Sequence, residues 1–410
     1  MRIWVRFLVL FIVVGTSVIG GDAFALSGKN LYELKCGRCH VAFEPSEFTA
    51  QEWPGIVRSM KAQAALTASE TQEITEYLVN ASQGEDSEHS GNRPSFGGYL
   101  YTEYFQSPKK IKNFDIHYLA FHISGWASDN ISYFGEFELE HGGKGEDTFV
   151  EQAFLDWWVR PTTAVKIGAM LTPFNRFDEF HDPLMNYLIT RPQVSRELGV
   201  SAWKEVGVDL HGYFNIADTG VLSYDLYTIN GLGEGDNLRK SRQYRDNNES
   251  RAFGGRVNYV FKDMLEAGAS MYQGAWDDEA DYNLSMFGAH LMMQTPFAEI
   301  FGEYTQATSE NPGDVGDGEM SGYFIQASRL FNGAYRPTVR YGMLDYLDEG
   351  DKRGRDSDNG NKDLTELALG LSYYPTSKVA FKFEYTIFTE GDRMEEVDNN
   401  QIGLQAAVKF

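Results

Sequence analysis

The chain of 410 residues has only two cysteines, Cys36 and Cys39. A four-cysteine zinc site therefore cannot form. Beyond the first 25 residues the sequence has no long apolar stretch, and it contains no nucleophile elbow, no phosphate-binding loop and no basic patch for nucleic acid. Basic residues are scarce as well, with 36 Lys and Arg against 59 Asp and Glu. These absences leave no hydrolase or transferase motif.

The two cysteines stand in the pentapeptide Cys36-Gly37-Arg38-Cys39-His40. This spacing is the attachment pattern of a c-type haem, in which each sulfur forms a thioether and the following histidine ligates the iron. A redox dithiol or half of a zinc site has the same cysteine spacing, but the flanks lack a βαβ pattern and a second cysteine pair. The sequence predicts one covalently bound haem c, attached to Cys36 and Cys39, with His40 as an axial ligand of the iron.

The sixth ligand of the iron is predicted to be Met60, the only methionine between His40 and the end of the helical segment. Trp53, Val57 and Met60 recur at helical spacing, and this stretch resembles the distal part of small monohaem cytochromes c. The resemblance implies that the Met60 thioether binds the iron. A core-packing role for Met60, with water or a histidine from elsewhere as the ligand, is the alternative.

The order of segments predicts an exported protein. Residues 1–25 have a basic start, an apolar run and an Ala-x-Ala end, which is typical of a secretory signal peptide. Residues 26–83 form the predicted monohaem cytochrome c domain, which is small and all-α, and residues 84–94 form a polar linker. The remaining residues, 95–410, are rich in Tyr, Phe and Gly and alternate between apolar and polar side chains.

This alternation predicts an all-β, 16-stranded antiparallel transmembrane β-barrel with short turns on one side, long loops on the other and a terminal Phe410. A soluble β-sandwich is the alternative. The predicted strands begin near Ser95, Phe114, Ile131, Phe149, Ala164, Lys204, Val221, Ala252, Met264, Tyr282, Ala298, Met320, Pro337, Leu364, Val379 and Asn400.

The longest predicted connection runs from about Thr172 to Trp203, a position at which general porins fold a loop into the lumen. Its stretch Pro173-Phe174-Asn175-Arg176-Phe177 resembles the phosphate-selective porin O and P family. The predicted lumen face is acidic and departs from an anion channel: it carries Glu136, Glu138, Asp156, Asp209, Asp225, Glu266, Glu299, Glu303, Glu366 and Glu384 against Lys166, Arg256, Arg340 and Lys382. Such a wall would select cations, although acidic loops also bind divalent cations that bridge to lipopolysaccharide.

The barrel histidines at positions 117, 122, 141, 181, 211 and 290 show no metal-ligand spacing. Single histidines of this kind are usually wall or rim residues of a barrel.

The domain order resembles the fused outer-membrane cytochrome–porin proteins. This resemblance implies electron transfer between an extracellular donor or acceptor, with Fe(II) oxidation favoured, and periplasmic carriers, through a haem at the mouth of the barrel. It also implies a bacterial outer-membrane location, contact with lipid and lipopolysaccharide, and a trimer as the usual porin oligomer. The alternatives are a diffusive porin whose tethered cytochrome docks carriers or gates the pore, and a periplasmic terminal reductase with an open iron coordination site.

Overall fold

The protein is described by a computed structural model over residues 28–36, 45, 48, 50, 53–60, 66, 68–82, 94–108, 113–142, 148–180, 182–216, 220–234, 238–262, 264–312, 317–346, 362–376, 378–391 and 395–410. The predicted signal peptide, most of the linker, Cys39 and His40 lie outside these residues. Among the described residues, no helix combines the length and apolar character that crossing a membrane requires.

Three helices form the N-terminal domain: α1 (Gly28–Cys36), α2 (Trp53–Met60) and α3 (Ala68–Ser82). The apolar side chains of these helices meet in one buried cluster, because α3 packs against both other helices. The cluster is made of Leu31, Tyr32, Trp53, Val57, Leu66, Ile74 and Leu78.

The described part of residues 95–410 forms sixteen antiparallel strands that close into a barrel, with β1 hydrogen-bonded to β16. The predicted fold class is confirmed, and each predicted strand start lies within two residues of the observed one. The strands are β1 (Ser95–Gln106), β2 (Asn113–Ser128), β3 (Ile131–Glu140), β4 (Thr148–Arg160), β5 (Thr163–Leu171), β6 (Lys204–Ile216), β7 (Gly220–Ile229), β8 (Ala252–Phe261), β9 (Leu265–Ala275), β10 (Asn283–Gln294), β11 (Glu299–Ser309), β12 (Gly318–Ser328), β13 (Tyr335–Tyr346), β14 (Lys362–Thr376), β15 (Val379–Glu390) and β16 (Gln401–Lys409).

The side chains of each strand alternate between an apolar outer face and an inner face that is largely polar. On β16, Ile402 and Leu404 are exposed, whereas Gln401 and Gln405 are buried. The terminal residue takes part in closure, since the Phe410 nitrogen donates to the Gly98 carbonyl at 3.0 Å and the Gly98 nitrogen donates back at 3.1 Å. An apolar outer band with a polar interior is the pattern of a barrel surrounded by lipid.

The connection between β5 and β6 folds into the lumen, as its position in the sequence predicts. It carries a 3₁₀ turn (Phe177–Phe180) and the short helix α4 (Gln193–Glu197). Phe174, Phe177 and Val194 are buried in one cluster with Phe301 and Phe324 of the barrel wall. We call residues 172–203 the inward loop.

Candidate haem site and barrel lumen

Cys36, the first predicted attachment residue, ends α1 and packs against the apolar cluster of the helical domain. Cys39 and His40 lie outside the described residues, so their roles stay predictions. Apolar surface beside a thiol suits a haem, because the macrocycle is largely hydrophobic and its potential depends on burial.

Contacts between the helices fix the frame in which Cys36 is held. Lys35 is almost fully buried, and its Nζ lies 3.0 Å from Oε1 of Glu70 on α3. The Trp53 indole nitrogen donates to the Pro45 carbonyl at 2.9 Å, which ties α2 to the segment that follows the pentapeptide. Gly28 allows α1 to cross α3 closely, since a Cβ atom there would lie 2.7 Å from the Glu73 carbonyl oxygen.

Met60 ends α2 and is half-buried, two helical turns beyond the buried Trp53. Cys36, with its thiol, and Met60, with its thioether, are therefore the last residues of two helices that share one apolar cluster. The chemistry of this donor set fits a haem c, with thioether attachment on one helix and a thioether ligand available on another.

The helical domain contacts the barrel wall through α2. A Cβ atom added to Gly55 would lie 3.3 Å from Cζ2 of Trp126, so the helix backbone rests directly on the indole. Trp126 lies close to the two-residue connection between β2 and β3. Because short turns of such barrels face the periplasm, this contact is at the periplasmic end.

Trp126 belongs to an aromatic patch on the inner wall. It packs against Trp158, Ala164, Tyr213 and Val221, and the ring of His211 lies 5.7 Å from that of Trp158. Trp158 is buried, whereas its neighbours on β4, Trp157 and Val159, are exposed on the outer face. Helix α2 therefore lies against residues that line the barrel interior.

Carboxylates of the predicted acidic lumen hold the inward loop. Glu303 accepts hydrogen bonds from the backbone nitrogens of Arg176 (2.9 Å) and Phe177 (3.1 Å) and from Ser195 Oγ (3.0 Å). Glu384 accepts from the backbone nitrogens of Ile189 and Thr190. These residues face the lumen as predicted, but they do not form an open cation-selective wall, because the loop occupies them.

Cations on the wall and loop complete these contacts. Arg340 and Glu366 are both fully buried and 3.1 Å apart, and Arg340 also donates to the Thr190 carbonyl oxygen at 2.8 Å. Lys382 donates to the carbonyl oxygens of Pro183 and Leu188. The four predicted basic residues of the lumen thus include two that bind the loop backbone.

A second ion cluster links the start of the inward loop to β7, β8 and β9. Arg176 pairs with Glu179 and Glu266, and Arg256 pairs with Glu179 and Asp225. Burial alone would raise the pKa of Glu179, but Arg256 and Arg176 outweigh it and hold that pKa below its ordinary value. Glu179 therefore stays ionised and stabilises the loop down to acidic pH.

Two histidines that are far apart in the sequence lie close together at the long-loop end of the barrel, opposite the end that α2 contacts. His117 of β2 and His141, just beyond β3, lie with their ring centroids 5.2 Å apart, and Asp115 is within 3.2 Å of both. Both are residues of the wall and rim, as predicted, but the structure places them side by side although their sequence spacing gives no sign of it. The hairpin register is the signal that could have revealed it, because Tyr118 pairs with Glu140 and the next pair outward is His117 with His141.

The N-terminal part of the chain is similar to known cytochromes. A family model described as dihaem cytochrome c matches residues 32–115. The cytochrome c-type protein TorY of Haemophilus influenzae is 35% identical over 51 residues, which are 12% of this chain and 14% of that protein. These likenesses support a haem c-binding domain at the N-terminus.

A longer likeness covers most of the chain. An uncharacterized protein of Aquifex aeolicus (strain VF5) is 25% identical over 347 residues, which are 75% of this chain and 77% of that protein.

The barrel is similar in fold to solved bacterial porins. The anion-selective porin of Comamonas acidovorans has a TM-score of 0.57 at 12% identity, over 78% of this chain and 99% of that one. A loop-deletion mutant of OmpT from Vibrio cholerae has a TM-score of 0.55 at 16% identity, over 78% and 100%. The barrel matches outer-membrane porins, as the predicted location requires, and a cytochrome domain joined to it supports an electron-transfer role.

Proposed function

We propose that the protein carries electrons across the bacterial outer membrane, from Fe(II) outside the cell to carriers in the periplasm. The observation that carries this proposal is the contact of Gly55 on α2 with Trp126. It places a helix of the cytochrome domain against the inner wall at the short-turn end of the barrel. A haem in this domain would then lie at the periplasmic mouth.

One haem c is proposed, attached to Cys36 and Cys39, with His40 and Met60 as axial ligands. When bound, the haem supplies one-electron oxidation and reduction. The two cysteines of the chain suffice for one covalent attachment, so a second haem of the kind that the dihaem family model suggests would have to bind without thioethers. The apolar helical cluster would cover the haem, and Lys35 with Glu70 would hold α1 in place beside it.

The barrel has a physical purpose in this scheme. The apolar band of an outer membrane is about 25 Å tall. Neither an insoluble donor outside the cell nor the Fe(III) ion that the reaction produces can cross this band. A wall of polar and aromatic side chains through that band lets electrons reach a periplasmic haem. Periplasmic electron carriers would dock on the exposed side of the cytochrome domain.

The second candidate is a diffusive porin whose tethered cytochrome docks electron carriers or gates the pore. The inward loop favours this candidate, because a loop held inside the lumen by Glu303 and Glu384 is a constriction. The two functions differ in ionic conductance and in the route of electrons. A trimer, with contacts to lipid and lipopolysaccharide, is proposed for both.

The test uses the full haem-loaded chain in sealed liposomes, oriented with the cytochrome domain inside. Fe(II) is added outside and the absorbance of the haem is followed. The proposal predicts rapid haem reduction, together with a low conductance of the same protein in planar bilayers. A haem that stays oxidised, although a small permeant reductant reduces it, would refute the proposal, and a large open conductance would favour the diffusive porin.

A further inference from the structure

Asp115, His117 and His141 form a cluster at the long-loop end of the barrel, where β2 begins and β3 ends. The Nδ1 atoms of His117 and His141 lie 3.2 Å and 2.7 Å from Oδ2 of Asp115. All three candidate ligand atoms lie within 4.8 Å of one another. Because long loops of such barrels face the outside, the cluster is at the extracellular mouth.

These separations suit a single metal ion. Imidazole nitrogens and carboxylate oxygens bind transition metals at about 2.0–2.2 Å, so two ligands on one ion are about 3 Å apart when they subtend a right angle. The contacts of Asp115 with the two histidines already have this length. Two histidines with one carboxylate also leave coordination positions open for water or a substrate ligand.

The backbone of His141 is bent toward the cluster. Its φ angle is +48°, a left-handed conformation that is uncommon for residues other than glycine. The His141 nitrogen donates to the His117 carbonyl oxygen at 3.3 Å, which continues the β2–β3 ladder beyond the end of the strand. The strained turn therefore places the second imidazole opposite the first.

The cluster is accessible from outside and contacts further side chains of the inner wall. His141 is 46% exposed and His117 is 31% exposed. Glu103 of β1 is buried, and its Oε2 lies 3.5 Å from Nδ1 of His117. Glu103 is therefore placed to orient His117 or to supply a fourth ligand atom.

A series of aromatic rings leads from the cluster into the barrel. The ring centroids are 5.4 Å apart for His117 and Tyr101, 6.4 Å for Tyr101 and Tyr99, and 6.3 Å for Tyr99 and His122. The series continues through Phe134 and Phe154, with steps of 6.1 Å and 5.6 Å. Phe154 lies on the same inner face of β4 as Trp158, whose patch includes Trp126.

We propose that Asp115, His117 and His141 bind a divalent first-row transition-metal ion at the extracellular mouth. Binding of the ion does not depend on the proposed function. The assignment of this site as the entry point for electrons does rest on it: bound Fe(II) would lose one electron and become Fe(III), and oxidised haem would accept that electron, with no atom transferred.

The binding test uses Zn(II), a redox-inert probe, and calorimetry of the full chain in detergent. Excess Mg²⁺ is included to occupy the hard oxygen sites of the acidic loops. The wild type should bind one Zn(II) per chain with high affinity, and His141→Ala and His117→Ala should each weaken this binding at least about tenfold. The matched control is His211→Gln, which removes the imidazole of a simple His–Asp pair. The Nε2 atom of His211 lies 2.9 Å from Oδ1 of Asp156. This control should leave the Zn(II) affinity unchanged.

Equal Zn(II) affinity in wild type and His141→Ala would overturn the metal site and show a hydrogen-bonded network only. Heat-resistant migration on gels checks that each barrel has folded. The liposome assay then tests the electron entry point: His141→Ala should slow haem reduction by external Fe(II) but not by a permeant reductant. Loss of Zn(II) binding with unchanged reduction by Fe(II) would overturn the entry-point role and leave the proposed function standing.

Discussion

Two parts of the barrel wall differ in what their inward-facing side chains contact. In the loop-bound wall, charged side chains form hydrogen bonds with the backbone of the inward loop. This wall consists of Glu303, Arg340, Glu366, Lys382 and Glu384 on β11, β13, β14 and β15. The aromatic wall, defined by Tyr99, Tyr101, His117, His122, Phe134 and Phe154 on β1 to β4, joins rings from strand to strand.

Two carboxylates beside the aromatic wall, on β1 and β3, accept hydrogen bonds from a residue of this wall and from β16. Tyr99 donates to Glu138 at 2.5 Å, and Gln405 donates to Glu103 at 2.7 Å. Acidic residues in a lumen therefore do not by themselves make a barrel cation-selective, because a loop backbone or a neighbouring side chain can occupy them. The loop-bound wall holds the inward loop through hydrogen bonds and ion pairs. The aromatic wall forms a series of ring contacts from the outer mouth inward, and it contacts the loop through the apolar side chain of Leu184.

The largest effect is expected from removing a cation of the loop-bound wall. Arg340→Ala leaves Glu366 buried and without its ion pair, which costs about 3–5 kcal/mol. The inward loop should detach, because Arg340 also holds the Thr190 carbonyl. Urea unfolding in lipid should show the loss of stability, and planar bilayers should show a raised conductance.

The control for that variant is Arg251→Ala, which breaks an ion pair with Asp246 whose arginine is 53% exposed. Solvent-exposed pairs contribute about 0–1 kcal/mol, so stability and conductance should change little. If Arg340→Ala kept the wild-type conductance, the position of the loop would not depend on the Arg340 contacts.

An intermediate effect is expected on the aromatic wall. Tyr99→Phe keeps the ring but removes the hydrogen bond to the Glu138 carboxylate, which should cost about 1.5–3 kcal/mol. Haem reduction by external Fe(II) should stay near the wild-type rate. Tyr99→Leu removes the ring as well and should slow that reduction without raising conductance.

The comparison of the two Tyr99 variants separates the hydrogen bond from the ring. Equal rates of haem reduction in Tyr99→Leu and Tyr99→Phe, measured by stopped flow in liposomes, would show that the ring series does not carry electrons. A raised conductance in Tyr99→Leu would show that both walls hold the loop.

The smallest effect on stability is expected at the junction of the two domains. Gly55→Ala should favour α2 by up to about 1 kcal/mol, but its Cβ would press on the Trp126 indole at 3.3 Å. The overall unfolding free energy should change by less than 1 kcal/mol. Cleavage of the linker by protease should become faster, and unchanged cleavage would argue against a docked helix.

Sequence patterns sufficed for the barrel because its elements are local. Alternation of apolar and polar residues fixes each strand, and the short turns fix the neighbours, so the strand starts follow. The inward position of residues 172–203 was predicted from the resemblance to general porins. The partners of Glu303 and Glu384 could not be predicted, because a lumen carboxylate looks the same in sequence whether it faces water or a loop backbone. His117 and His141 required the hairpin register.

In the helical domain, Trp53 and Val57 are buried as the helical spacing predicts. The roles of Cys39 in haem attachment and of His40 as an axial ligand stay predictions that rest on the pentapeptide alone. The contact of Gly55 with Trp126 had no signal in the sequence, since it joins two segments whose periodicities differ and whose connection is a polar linker.

The most direct test of electron transfer through the barrel encloses two reporters in separate sealed liposomes that carry the protein. One population holds ferricyanide and the other holds a chromogenic Fe(II) chelator, and Fe(II) is added outside both. Electron transfer through the barrel requires that ferricyanide is reduced while the enclosed chelator stays colourless, because electrons cross and iron does not. Chelator colour that develops as fast as ferricyanide is consumed would contradict it.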